Sequence, residues 1–158
     1  MNHYLLPGLE AVPTICRRLL DRIDASRLDE AITPGRFTPR EVIAHLADWE
    51  PIMRERVRMA CAAPGSTIEV FDEGEMAAAN RYADSDPYER LELFRRERAV
   101  TAELVRRLQP AAMTNVVLHP ERGPMTADDL TNLLLAHDVY HVEQLSAYLD
   151  GGTAGTAS

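Results

Sequence analysis

The chain has 158 residues, 46% of them hydrophobic, and a formal net charge of −8. This length is enough for one domain with its own core. The acidic balance argues against a nucleic-acid partner, since such proteins present a basic face and the arginine runs here are short and local. No apolar run approaches the roughly 20 residues that cross a bilayer. The first ten residues also lack the features of a signal peptide, so we expect a cytoplasmic protein without a membrane partner.

The first predicted helix runs from about residue 4 to residue 25. Apolar residues recur there every three or four positions, which is typical of a helix in a bundle: Leu5, Leu9, Val12, Cys16, Leu19 and Ile23. Pro13 predicts a kink or a later start. Cys16 and Cys61 are far apart in the sequence, and we interpret both as reduced thiols.

The second predicted helix opens with Thr38-Pro39-Arg40-Glu41, which has the residues of an N-terminal capping box with proline at the first helical position. Its buried stripe is predicted to contain Val42, Leu46, Trp49, Met53 and Val57. His45 lies at the edge of that stripe. Pro51 removes a backbone hydrogen bond and predicts a bend near His45.

Two connections separate the remaining helices. Residues 60–85 are predicted to be a long crossover, after which Asp86-Pro87 starts a third helix that ends before Pro110. Residues 111–125 are predicted to be a loop, and Thr126 is predicted to cap the fourth helix. No segment alternates as a strand would, so the fold class is all-α. The domain is expected to span residues 1–150, with residues 151–158 a disordered tail.

The fourth predicted helix places two histidines on its apolar face. His137 and His141 are four residues apart and point the same way, one turn from each other. If the second and fourth helices are neighbours, His45 can meet both. Three neutral imidazoles with open positions are typical of a catalytic metal site. Nitrogen ligands suit zinc, nickel, copper or iron. A satisfied core histidine is the alternative for each ring.

Several other polar residues are weaker candidates. Asp48, three residues after His45, could complete a histidine–carboxylate set or orient a ligand imidazole. Gln144 lies one turn beyond His141 and could hydrogen-bond a ligand or a neighbouring helix. Arg98 falls in the apolar stripe of the third helix, so it needs an anionic partner, either a core carboxylate such as Glu50 or an acidic substrate. His119 is a surface residue or lies at the mouth of the site.

The sequence His-Asp-Val-Tyr-His at residues 137–141 invites comparison with zinc proteases, in which a glutamate after the first histidine is the base. Asp138 is one methylene shorter and is predicted to point off the buried stripe. We therefore expect a surface or ligand-orienting role for Asp138 rather than protease chemistry.

Two blocks of the sequence carry a resemblance to a known family. GRFTPREVIAHLADWE and GPMTADDLTNLLLAHDVYHVEQL, with the long loop between them, resemble the DinB/YfiT-like superfamily of metalloenzymes. The resemblance covers nearly the whole chain. It implies a four-helix bundle of up-down-down-up order with a long crossover between helices 2 and 3. It also implies a metal site formed by His45, His137 and His141.

The resemblance further implies a divalent metal ion, with zinc or nickel first and iron next. Some relatives are transferases or isomerases that use low-molecular-weight thiols, so an S-transferase acting on a small-molecule substrate is the leading hypothesis. A non-catalytic metal-binding bundle, with a stress-response or structural role, is the alternative. A bundle that binds no ion is the third. Family members often pair, so a homodimer is expected, to which Leu20 and Leu135 could contribute.

Overall fold

A computed structural model describes residues 2–149 of the chain. Within that range the helices are α1 (Leu5–Leu20), α2 (Pro39–Ala62), α3 (Glu73–Ala79), α4 (Pro87–Arg107) and α5 (Ala127–Ser146). Two short strands, β1 (Val116–His119) and β2 (Gly123–Thr126), form an antiparallel hairpin between α4 and α5. The tail predicted to be disordered, residues 151–158, lies outside the described residues.

The four long helices form the predicted bundle. α1 and α2 each pack against both α4 and α5, so α2 and α5 are neighbours. Along α2 and α4 the contacts advance together, because Arg90 bonds the Ala44 carbonyl and Arg98 bonds Glu50. These two helices therefore run in the same direction. The long connection from residue 63 to residue 86 makes that arrangement sterically possible.

The predicted helix starts are confirmed by their caps. The Thr38 hydroxyl accepts from the Glu41 amide, and the Glu41 carboxylate accepts from the Thr38 amide, which completes a capping box. Thr126 and Asp129 form the same arrangement at the start of α5, and Asp86 caps α4. These bonds satisfy backbone donors that a helix start leaves unpaired. They fix where each histidine-bearing helix begins.

The first helix begins where it was predicted to begin but ends earlier than predicted. α1 starts at Leu5 and continues through Pro13, which is buried in the bundle, so this proline does not delay the start. The helix ends at Leu20 rather than near residue 25. A separate 3₁₀ turn at Ala25–Arg27 follows, because the Asp24 carboxylate accepts the Ser26 amide and starts a new turn.

The prediction of a loop at residues 111–125, with no strand in the chain, is wrong. β1 and β2 pair there in register, and Gly123 adopts a φ of +78°, which favours glycine at the hairpin turn. The preceding crossover pairs with this hairpin, since the Ile68 amide donates to the Leu118 carbonyl at 3.0 Å. Hairpin and crossover together build a wall beside the bundle.

The core limits where a second copy could dock. Leu20 is 1% exposed and packs inside the bundle, which contradicts its suggested role in a dimer interface. Leu135 is partly buried and covers Gly8 on α1. Cys16 and Cys61 are free thiols, as predicted. None of the helices described within residues 2–149 is both long and apolar enough to cross a membrane.

Candidate metal centre

The bundle brings His45, His137 and His141 together. The Nε2 atom of His137 lies 3.0 Å from Nε2 of His45 and 3.2 Å from Nε2 of His141. His45 comes from the buried face of α2, and the other two are one turn apart on α5, which packs against it. Three nitrogen atoms on two capped helices therefore converge on one point.

Gln144 fixes the orientation of one imidazole. Its amide nitrogen donates to the Phe37 carbonyl at 2.8 Å, so its oxygen faces Nδ1 of His141 at 3.1 Å. An amide oxygen can only accept, so His141 carries its proton on Nδ1. The Nε2 lone pair of His141 is thereby directed into the cluster. Gln144 is thus a positioning residue for His141.

The cluster is unsatisfied by protein groups alone. Nδ1 of His45 and Nδ1 of His137 are buried and have no hydrogen-bond partner in the described residues. Two imidazole nitrogens in contact share a single proton. The Nε2 atom of His137 can therefore donate a hydrogen bond to only one of its two neighbours, His45 and His141. Nitrogen atoms bound tetrahedrally to zinc at about 2.0–2.1 Å lie roughly 3.4 Å apart. The observed spacings are close to this, so the three residues fit a shared divalent ion.

Burial keeps the three rings neutral. Desolvation lowers the pKa of His45 to about 3, with a smaller contribution from His141. Desolvation and the two neighbouring imidazoles lower the pKa of His137 to about 2. Desolvation also lowers the pKa of His141 to about 4, although the bond to Gln144 opposes it. A neutral imidazole is the form that binds metal, so the cluster is ready for an ion at neutral pH.

A cavity of about 380 Å³ opens beside the cluster, and His137 forms part of its wall. Trp49 stacks near the His137 ring, with centroids 5.8 Å apart, and lines the same cavity. The hairpin contributes His119, and the crossover contributes Phe71. His119 is only 6% exposed, so it is a wall residue of the cavity rather than a surface loop residue. The volume suits a small molecule.

Asp138 is buried, which contradicts the prediction that it points off the apolar stripe. Its Oδ2 atom lies 2.7 Å from Nη1 of Arg98, an ion-pair contact without hydrogen-bond geometry. Arg98 also donates to both oxygens of Glu50, at 2.8 and 2.7 Å, and to the Leu9 carbonyl. The sequence did not reveal that Asp138 is buried, because burying a charged residue is unfavourable without a partner and its partner, Arg98, lies on another helix. Of the two partners considered for Arg98, a core carboxylate such as Glu50 and an acidic substrate, the structure shows Glu50.

Asp48 does not face the histidines. It forms an ion pair with Arg90 and accepts a 2.8 Å hydrogen bond from the Asn80 side chain. In the described part of the chain, the candidate ligand group near this point consists of the three histidines alone. Asp48 therefore ties α2 to α4 and to the end of α3.

Sequence reasoning missed five charged residues of the cavity wall: Arg56, Asp72, Glu73, Glu121 and Arg122. Arg56 lies seven residues after Trp49 and three after Met53, on the same face of α2. This spacing could have predicted that Arg56 lies beside Trp49. Arg122 and Glu73 are in connections whose structure the sequence did not predict. Nothing local in the sequence indicates that they meet.

The fold and site define a four-helix bundle with a three-histidine cluster open to a cavity. Residues 9–145 match the model of the DinB superfamily. The chain belongs to this superfamily, which confirms the resemblance found in the sequence.

Two named relatives and two solved structures are similar to this chain. A protein of Oceanobacillus iheyensis, provisionally named a metal-dependent hydrolase, is 26% identical over 140 residues, covering 88% of this chain and 80% of its own length. YfiT of Bacillus subtilis, with the same provisional name, is 23% identical over 139 residues, covering 87% and 78%.

The solved structure of YfiT, described as an unusual four-helix bundle, has a TM-score of 0.88 at 20% identity. That match covers 96% of this chain and 89% of YfiT. A mycothiol-dependent maleylpyruvate isomerase has a TM-score of 0.71 at 17% identity, covering 89% of this chain and 59% of the isomerase. Both structural matches show a shared fold.

Proposed function

We propose that this chain is a divalent-metal-dependent enzyme whose ion is held by His45, His137 and His141. The observation that carries the proposal is the convergence of three histidine Nε2 atoms, two from buried residues and one from a half-buried residue, beside a cavity of small-molecule size. A closed structural zinc site has four protein ligands. Three ligands and an adjoining cavity are the arrangement of a site that keeps a position for substrate. The names of the two relatives support metal dependence.

A divalent ion in this cluster would lower the pKa of a bound thiol or water. The surrounding residues of the chain supply orientation and exclusion of water. Gln144 holds His141 in the tautomer that presents Nε2. Trp49 and Phe71 line the cavity with apolar surface, which limits access of bulk water to the cluster.

We propose thiol S-transfer to an electrophile as the reaction. The thiol sulfur forms a bond to the electrophilic carbon, the leaving group departs with its bonding electrons, and the thiol proton passes to water. The shared fold of a mycothiol-dependent isomerase supports a low-molecular-weight thiol as one substrate. The provisional hydrolase names of the relatives make water the competing nucleophile. Zinc or nickel is the proposed ion, and a homodimer stays a prediction.

Thiol consumption tests this reaction. Zinc-loaded and nickel-loaded protein would be incubated with cysteine, glutathione or mycothiol and a panel of alkyl and epoxide electrophiles, and free thiol would be followed over time. We expect consumption above the uncatalysed rate that is lost in His45→Ala. Hydrolysis of an ester panel without thiol consumption would favour a hydrolase. Activity in neither assay, with metal bound, would favour the non-catalytic metal-binding bundle.

Gln144→Met is expected to weaken metal binding about 10–100-fold, the usual effect of losing a group that orients a ligand imidazole. Methionine removes the oxygen that holds Nδ1–H of His141, so that ring can rotate or change tautomer. Competition with a chromogenic chelator measures the zinc dissociation constant. Gln109→Met, the same change away from the cluster, is the matched control. Equal zinc affinity for both variants and the unmodified protein would contradict the positioning role.

A further inference from the structure

One side of the cavity beside the histidine cluster is basic. Arg56 from α2, His119 at the end of β1 and Arg122 in the hairpin turn all line it. These side chains influence one another electrostatically. Burial and, to a smaller extent, Arg122 lower the pKa of Arg56. Burial and then the two arginines lower the pKa of His119. Three cationic or hydrogen-bond-donating side chains thus share one wall.

Arg56 is buried without an acidic partner. It is 5% exposed, its Nη2 donates to the Glu69 carbonyl at 2.8 Å, and its guanidinium carbon lies 5.2 Å from the centre of the Trp49 ring. Its Nε atom is buried with no hydrogen-bond partner. The other deeply buried arginine, Arg98, is paired with two carboxylates. A buried charge without a counter-ion is costly, so the uncompensated charge of Arg56 needs a functional reason.

Three acids also line the cavity: Asp72, Glu73 and Glu121. Asp72 and Glu73 belong to the start of α3, where Asp72 accepts the Glu75 amide as a helix cap. Burial and then Asp72 raise the pKa of Glu73, so these two acids influence each other. Over residues 2–149, no carboxylate lies within ion-pair distance of Arg56 or Arg122. Glu121 is the exposed neighbour of Arg122 in the hairpin turn, and its charge opposes the lowering of the pKa of His119. In the described part of the chain it forms no ion pair with either arginine, so both guanidinium groups remain available to an anion.

His119 is set up as a donor. Its Nδ1 accepts the backbone amide of Glu121 at 3.2 Å, so the proton of the neutral ring is on Nε2. A neutral Nε2–H beside two guanidinium groups donates hydrogen bonds and accepts none. This combination is typical of a site for anionic oxygen atoms, for which arginine is the preferred ligand.

We propose that Arg56, Arg122 and His119 bind an anionic group, a carboxylate or a phosphate, of the substrate that reacts at the histidine cluster. This inference rests on the proposed function for the reaction, but the anion site itself does not require the metal. His137 lines the same cavity. A substrate anchored by its anionic end on the basic wall would thus extend its reactive end toward the cluster. The substrate class is therefore a small organic anion.

The single tryptophan of the chain gives a direct readout, since Trp49 lies under Arg56 and lines the cavity. Succinate and its neutral analogue succinamide would be titrated into the full chain while tryptophan emission is recorded. Inorganic phosphate would be titrated separately. Each titration would be done on chelator-treated and on zinc-loaded protein. We expect saturable changes with succinate or phosphate and none with succinamide, in both forms of the protein.

Three variants locate the site. Arg122→Gln changes an exposed residue and is expected to weaken anion binding at least about fivefold, and Arg56→Gln at least about tenfold. Arg58→Gln, on the solvent side of the same helix, is the matched control and should bind as the unmodified protein does. Circular dichroism would establish that each variant is folded, and if Arg56→Gln is not, Arg122→Gln decides.

The outcomes separate the two proposals. Tighter binding of phosphate than of succinate would indicate a substrate with a phosphate group. Tighter binding of succinate would indicate a substrate with a carboxylate group. Equal responses to succinate and succinamide, or unchanged affinity in Arg122→Gln, would overturn the anion site. Binding seen only in zinc-loaded protein and unaffected by the arginine variants would show that the anion binds the zinc ion. That result would also overturn the anion site. Anion binding by a protein that takes up no metal would leave this inference intact and refute only the metal-dependent function.

Discussion

Replacing Arg98 by methionine is expected to lower the free energy of unfolding by about 3–5 kcal/mol, the usual cost of removing one partner from a buried ion pair. Arg98 is 2% exposed and bonds both oxygens of Glu50, which is itself 1% exposed. It also pairs with Asp138, which is fully buried. Without the guanidinium, two carboxylates are left in the core with no counter-charge. Urea unfolding followed by circular dichroism measures the change.

The pH dependence of this variant distinguishes electrostatics from lost packing. Burial already raises the pKa of Asp138 to about 6, although Arg98 partly opposes it. Without Arg98, the pKa of Asp138 should lie further above its unfolded value, so the folded state binds more protons than the unfolded state. Stability of the variant then falls as pH rises through that range. The loss relative to the unmodified protein should therefore be larger at pH 8 than at pH 5.

Arg95→Met is the matched control, because Arg95 lies on the same helix, is well exposed and pairs with the exposed Glu92. Its effect should stay below about 1 kcal/mol, as for other surface ion pairs. A loss in Arg98→Met no larger than in this control would contradict the structural role of the cluster. A large loss that does not change with pH would attribute the effect to packing alone.

His137→Ala is expected to weaken metal binding by at least about 100-fold, since even residues that only orient a ligand contribute 10–100-fold. Its Nε2 atom is the one that contacts both other Nε2 atoms, at 3.0 and 3.2 Å. Removing it leaves two ligands on different helices. Thiol consumption should be lost with the metal. The measurements are zinc affinity by chelator competition and the turnover rate.

The metal-free form of His137→Ala should remain folded. His137 is half-buried and its buried Nδ1 has no hydrogen-bond partner in the described residues, so its ring adds little to stability without an ion. His3→Ala is the matched control, because His3 is an exposed histidine near the N-terminus. Zinc affinity and turnover equal to those of His3→Ala would contradict the proposed site. Loss of folding would indicate a structural role for the cluster instead.

Much of the fold was predictable because its signals are local. Thr38, Asp86 and Thr126 each cap a helix in the structure, and a capping residue followed by an acid or a proline is readable within four positions. The apolar stripes of the long helices show the 3.6-residue period. The spacing of His137 and His141 places both on one face in any helix. That His45 reaches them depended on α2 and α5 being neighbours, which the family resemblance supplied.

Other features depend on contacts between distant segments. The hairpin strands have four residues each, too few for an alternating pattern to stand out. Asp138 is buried because Arg98 on another helix pairs with it, and one helix read alone does not reveal this partner. Arg56 meets Arg122 only because the crossover and hairpin pack together. The basic wall of the cavity is therefore a property of tertiary structure.

The metal content of the purified protein tests the central claim most directly. The full chain would be produced without a histidine tag or added metal, desalted and measured by inductively coupled plasma mass spectrometry. About one equivalent of zinc, nickel or iron per chain is expected for a single three-histidine site. The absence of metal, together with no uptake when zinc or nickel is titrated in, would contradict the metal-dependent account. The histidine cluster would then be a polar core of the bundle that binds no ion.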